Sequence, residues 1–245
     1  MAGHSHWANI KRQKGKNDAK RGKVWSKIAR KIIIAAKGGG GNPDENLALR
    51  YIVDEAKAAN MPKDTIANAI KKGTGELGGD NYEAVTYEGY GPGGAALMIE
   101  ALTNNRARTA PDLRAMFERA GGNLAVSGSV AFQFTKAGVI AIKSDAIDEE
   151  TLMEVALEAG ADDVRDLGEV FEVTTPVAAY HKVKDAITAK KIAVENSEIT
   201  YLPSNTVALD EGKAASLLKL IDNLEDYDDV QSVSHNAELP ESVGA

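Results

Sequence analysis

Cysteine is absent from all 245 residues. That excludes disulfides and thiolate metal sites, and it fits a reducing compartment. No run of about 18 apolar residues occurs, so no membrane-spanning helix is predicted. The opening residues also lack the apolar stretch of a secretory leader, because His4, His6, Lys11 and Arg12 stand where it would be. A soluble cytoplasmic protein is the expectation.

Catalytic signatures are missing as well. Neither G-x-S-x-G nor H-E-x-x-H occurs, and His181 and His235 stand isolated from other candidate catalytic residues. Glu225, Asp226, Asp228 and Asp229 form one dense carboxylate cluster that magnesium could use, but acids near a helix end are more often simply solvated. The expectation is therefore a non-enzyme without cofactor or metal.

Basic charge is scarce in most of the chain and abundant at one end. Residues 1–37 carry eleven Lys and Arg against Asp18 alone, a local balance of +10. Residues 38–75 carry five charges of each sign, and residues 76–245 carry 13 basic against 30 acidic side chains, a balance of −17. The overall charge of −7 hides this asymmetry. A polyanion would feel the local field, which extends over a Debye length of about 10 Å.

Hydrophobic residues at 43% and charged residues at 27% fit a globular chain. Residues 1–16 have no helical or strand period and read as an extended basic arm. From Asn17 to Lys37, Trp25, Ile28, Ile32 and Ala36 make an apolar stripe, and Lys20, Lys23, Lys27, Arg30 and Lys31 fall on another arc, with Ile34 intruding. Gly38 to Gly41 predict a helix stop. Asn42-Pro43-Asp44-Glu45 predict the cap and first turn of a second helix, with Leu49, Ile52, Val53 and Ala56 as its buried face. A short third helix with Ile66, Ala67 and Ile70 is expected to close at Lys71-Lys72-Gly73.

Beyond residue 80 the period changes. Strands are predicted at Val85–Tyr90 and Ala95–Leu102 around the turn Gly91-Pro92-Gly93-Gly94, with a helix from Pro111 to Ala120 capped by Thr109 and Asp112. Although glycine-rich, Gly89 to Gly94 lacks the lysine and strand-to-helix setting of a phosphate loop and reads as a hairpin. A strand at Val130–Phe134 is followed by strand Val139–Lys143, helix Asp148–Ala159, strands Val164–Leu167 and Val170–Thr174, helix Val177–Lys190 and strand Val194–Leu202. This is the β-α-β-β-α-β order of ferredoxin-like units. Thr206–Leu209, Glu211–Leu224 and Val230–Val233 add strand, helix and strand, expected to rejoin the sheet begun at Val85.

The fold class is thus α+β. A basic three-helix domain at 1–79 is followed by an α/β domain at 80–136 plus 204–245, with a ferredoxin-like domain at 137–203 inserted in it.

The opening MAGHSHWANIKRQKGKNDAKRGKVWSKIARKI, with NMPKDTIANAIKKGTGE, YEGYGPGGAALMIEALTNNRARTAPDLR and GGNLAVSGSVAFQF, closely resembles the YebC/PmpR family. That family includes the mitochondrial translational activator of cytochrome c oxidase subunit I. The resemblance spans essentially the whole chain and implies a three-domain α/β protein that binds nucleic acid. Some members are DNA-binding transcriptional regulators, and others are ribosome-associated translation factors that act at proline-rich stalls. His6 stands where lysine is common in the family and Asn104 where aspartate is usual.

The expected nucleic-acid contacts are Lys11, Arg12, Lys14, Lys16, Lys20, Arg21, Lys23, Lys27, Arg30 and Lys31, with Trp7 able to stack on a base. The competing reading is a solvated basic face, or an arm docked on the protein's own acidic domains. Trp25 is expected in the core. Arg106 and Arg108, just before a helix, form a possible secondary phosphate contact. Because this face offers mainly lysine, it grips backbone rather than reading bases. The expected partner is DNA, or ribosomal RNA and the ribosome, with no membrane and a monomer favoured. The acidic body is expected to repel polyanion and face another partner, polymerase or ribosome.

Overall fold

The structure is a computed structural model that describes residues 21–78 and 81–240. Its first unit is a bundle of α1 (Arg21–Gly39), α2 (Leu47–Ala58) and α3 (Lys63–Thr74). Ile28, Ile32, Ile33 and Ala36 of α1 are buried against Leu49, Val53 and Ala56 of α2 and Ile66 and Ala69 of α3. Trp25 joins this core half-buried, and its indole N–H donates to the Ala59 carbonyl at 3.0 Å.

Three details of the bundle differ from expectation. Ala67, expected on the buried face of α3, is exposed, and Ala69 takes that place. The cap of α2 is Asn46, not Asn42. Its Oδ1 accepts from Leu49 N at 3.1 Å, while its Nδ2 donates to the Ala35 and Gly40 carbonyls at 2.8 Å each, so one buried amide closes the end of α1 and the start of α2. Asn42 instead stabilises the preceding turn, accepting from Asp44 N at 3.1 Å. Likewise Gly73 does not end α3, which stops at Gly75 with a positive φ of 86°. Gly73 is inside the helix because a Cβ there would lie 2.5 Å from the Ile33 carbonyl oxygen.

The second unit is built on an antiparallel sheet of order β3-β1-β2-β9, with β1 at Glu83–Tyr90, β2 at Ala96–Thr103, β3 at Asn123–Ala125 and β9 at Val230–His235. The β1–β2 turn is the expected hairpin, closed by Gly91 N donating to the Ala95 carbonyl at 2.8 Å. Helices α4 (Arg106–Arg119) and α7 (Glu211–Asp226) bury Leu113, Phe117, Leu217, Leu220 and Leu224 against Leu97 and Ile99 of β2. Residues between them form β4 (Phe134–Lys143), α5 (Glu149–Ala159), β5 (Asp163–Asp166), β6 (Val170–Pro176), α6 (Tyr180–Ala189) and β7 (Val194–Pro203). Their sheet order β5-β6-β4-β7, antiparallel throughout, is that of a ferredoxin-like unit inserted between the halves of the first sheet.

Three expectations for these units need correction. The segment 130–133 is no strand but a turn with a 3₁₀ stretch at Ala131–Gln133, and β4 begins at Phe134. The buried Glu88 carboxylate takes the N–H groups of Gly128, Val130 and Ala131 at 2.7, 2.7 and 3.0 Å, which diverts them from any ladder. Second, β8 (Val207–Ala208) pairs in parallel with β10 (Ala237–Glu238) rather than with the sheet begun at β1, because β9 occupies the edge of β2. Third, α4 starts five residues before Pro111 under an Asn105 cap, so Thr109 and Asp112 are not its capping box.

Candidate nucleic-acid interface

Lysine and arginine recur every three or four residues on α1, which places Lys23, Lys27 and Arg30 along one flank of the helix. In the fold this flank meets the end of α7. Lys23 Nζ donates to the Asp226 carbonyl at 3.0 Å and Lys27 Nζ to the Glu225 carbonyl at 2.8 Å. Arg30 donates to the Asp228 carbonyl and lies 5.7 Å from the Tyr82 ring centroid. Desolvation lowers the pKa of Lys27, helped by its neighbours Lys31 and Lys23 and opposed by Glu225 and Asp226.

The chemistry of α7 explains why these cations sit there. A helix C-terminus carries partial negative charge and orphan carbonyls, and basic residues in the last turn normally answer both. The last turn of α7 has no basic residue and runs instead into Glu225, Asp226, Asp228 and Asp229. Helix α1 supplies the missing cations from about 200 positions earlier in the chain.

Asp229 is the buried centre of this junction. Its Oδ2 accepts from Arg108 Nη2 at 2.7 Å, Thr109 Oγ1 at 2.8 Å and Thr103 Oγ1 at 3.1 Å, and Arg30 Nη2 lies 3.7 Å from its Oδ1. Burial alone would raise the carboxyl's pKa, but the bonds from Arg108, Thr109 and Thr103 outweigh it and hold the group below the usual aspartate value. Asp229 therefore acts as a fixed counterion tying the helical bundle to β9 and α4.

The residues expected to touch phosphate are thus distributed as follows. Lys23, Lys27 and Arg30 are brought together, against α7. Lys31 turns away to Glu55 at 2.9 Å. Arg108 shares Asp229 with Arg30, and Arg106 pairs with Glu83 at 2.7 Å, so both arginines of the secondary site already face carboxylates. Lys11, Arg12, Lys14, Lys16, Lys20 and Trp7 lie outside the described residues, as does the side chain of Arg21. Lys37, Lys63, Lys71 and Lys72 of the bundle are exposed at its surface. Among the described residues no cluster of His, Asp or Glu could hold a metal ion, and no helix is long and apolar enough to cross a membrane.

The role of Asp229, with Thr103 and Thr109, escaped sequence reasoning. One signal was available: four acids at the end of a helix with no local base call for cations from elsewhere in the fold.

A family model for the TACO1/YebC second and third domain matches residues 82–237, and one for the TACO1/YebC protein N-terminal domain matches residues 5–76. A probable transcriptional regulatory protein of Desulfatibacillum aliphaticivorans is 51% identical over 243 residues, covering 99% of this chain and 98% of the relative. Another, from Syntrophotalea carbinolica, is 52% identical over 239 residues, covering 98% and 96%. Among solved structures, a conserved hypothetical protein from Aquifex aeolicus aligns with a TM-score of 0.83 at 44% identity, covering 91% of this chain and 93% of that one.

Proposed function

The chain belongs to the TACO1/YebC family, and from that premise we propose a non-catalytic, cytoplasmic regulator of gene expression that binds nucleic acid, as a DNA-binding transcriptional regulator. The observation that carries this reading is the charge separation: +10 over residues 1–37 against −17 over residues 76–245. Cations so concentrated displace counterions from a phosphate backbone, and the acidic remainder keeps a polyanion to one end of the molecule. Lys11, Arg12, Lys14, Lys16, Lys20 and Arg21 supply one part of the contact; Lys23, Lys27 and Arg30 extend it along one flank of α1, with Lys31, paired to Glu55, on another. The relatives' name as probable transcriptional regulatory proteins supports the choice of DNA.

One observation favours a second reading, a ribosome-associated translation factor that relieves stalls at proline-rich stretches. The basic row is mostly lysine, whereas base reading in the major groove commonly uses Arg, Asn or Gln, so the row suits backbone tracking on a folded RNA equally well. Crosslinking in cells followed by sequencing of bound DNA and RNA separates the two. Enrichment of promoter DNA supports the first and enrichment of ribosomal RNA the second. Recovery of neither above a mock control would remove both.

A further inference from the structure

We infer that the docking of α1 on the end of α7 is an autoinhibitory latch, which the phosphate backbone of a nucleic acid must displace to engage Lys23, Lys27 and Arg30. The inference rests on the nucleic-acid reading above. Its physical basis is that one set of cations cannot serve two anionic surfaces. The Nζ of Lys27 donates to the Glu225 carbonyl at 2.8 Å and that of Lys23 to the Asp226 carbonyl at 3.0 Å, so phosphate oxygens would have to take over the same N–H groups.

The latch is graded along α1. At its outer end Lys23 and the Asp226 carboxylate lie 3.8 Å apart with side chains 45% and 47% exposed, open to competition from solvent ions. At its inner end Arg30 is 14% exposed beside Asp229 at 3%. Phosphate therefore enters at Lys23 and works inward. As it does, Glu225, Asp226 and Asp229 lose the cations that face them and repel the incoming backbone, which drives the end of α7 away from α1. Binding is coupled to separation of the bundle from the α/β unit, and the acids of α7 set the threshold.

The test uses the full chain and a carbodiimide, which joins Lys23 to Asp226 by a zero-length amide only while the two are docked. The probes are a 30-base-pair duplex DNA and a 30-nucleotide RNA at low salt. Saturation with the probe that binds is expected to abolish the Lys23–Asp226 crosslink seen by mass spectrometry. A release variant, Glu225→Gln with Asp228→Asn, is expected to crosslink less at Lys23–Asp226 and to bind that probe about fivefold more tightly. A control with the same charge change on the exposed start of α5, Glu149→Gln with Glu150→Gln, is expected to leave affinity within twofold. Circular dichroism confirms that each variant is folded.

Persistence of the crosslink at saturating nucleic acid would overturn the latch while leaving the nucleic-acid reading intact. Equal tightening by release and control variants would also overturn it, since net charge alone would then suffice. Absence of binding by every form at low salt would remove the reading beneath and this inference with it.

Discussion

Asp229 titrates below the ordinary aspartate value, so its contribution is fully present above the unfolded pKa of 3.8 and is lost as pH falls through the folded value. Asp229→Asn is expected to lower stability at pH 7 by roughly 3 kcal/mol, because Arg108 and Arg30 lose their buried counterion. The loss is checked by urea unfolding and should shrink as pH falls below 3.8. Glu172 on β6 behaves oppositely. Burial raises its pKa from 4.5 to about 7, so the folded state retains its proton; its contribution to stability is fully present below pH 4.5 and is lost as pH rises through 7. Glu172→Gln should accordingly stabilise the protein at pH 8 by roughly 3 kcal/mol and be neutral at pH 4, as read by thermal unfolding at both.

Among the elements, the helices and the inserted sheet were legible in order, but β3 went unread, residues 130–133 read as a strand that is a turn, and element ends were not fixed. Apolar periodicity marked the three helices of the bundle, and the β-α-β-β-α-β succession specified the inserted sheet, because these patterns are local. Helix ends depend on tertiary partners. Asn42 and Asn46 are equally good caps by type, and only the packing of α1's end against Asn46 selects the latter. Asn46→Ala is expected to cost about 2 kcal/mol, since two helix ends lose partners, whereas Asn42→Ala should cost under about 1 kcal/mol; chemical denaturation of the two variants checks this. Gly73 reads as a terminator until its neighbour is seen. Gly73→Ala would force α3 away from Ile33 and is expected to destabilise by roughly 1–3 kcal/mol despite alanine's better helix propensity, with a corresponding fall in melting temperature. The basic arc of α1 was legible too, but its occupant was not. Only the fold reveals that the acids placed 200 residues later lie against it.

The whole molecule is a charge-separated body in which part of the basic end is neutralised by its own acidic unit. Lys23, Lys27 and Arg30 of α1 lie against the end of α7, and their contact with phosphate is the part that is proposed. The cations before α1's docked row carry the central claim, and the direct measurement is the dependence of Kd on salt for duplex DNA and RNA. Binding should weaken steeply with salt. Replacing Lys11, Arg12, Lys14, Lys16, Lys20 and Arg21 by Gln should flatten the slope of log Kd against log salt by as much as about 5 on duplex DNA, at roughly 0.9 for each phosphate no longer neutralised. An unchanged slope and an unchanged Kd in that variant would contradict the account.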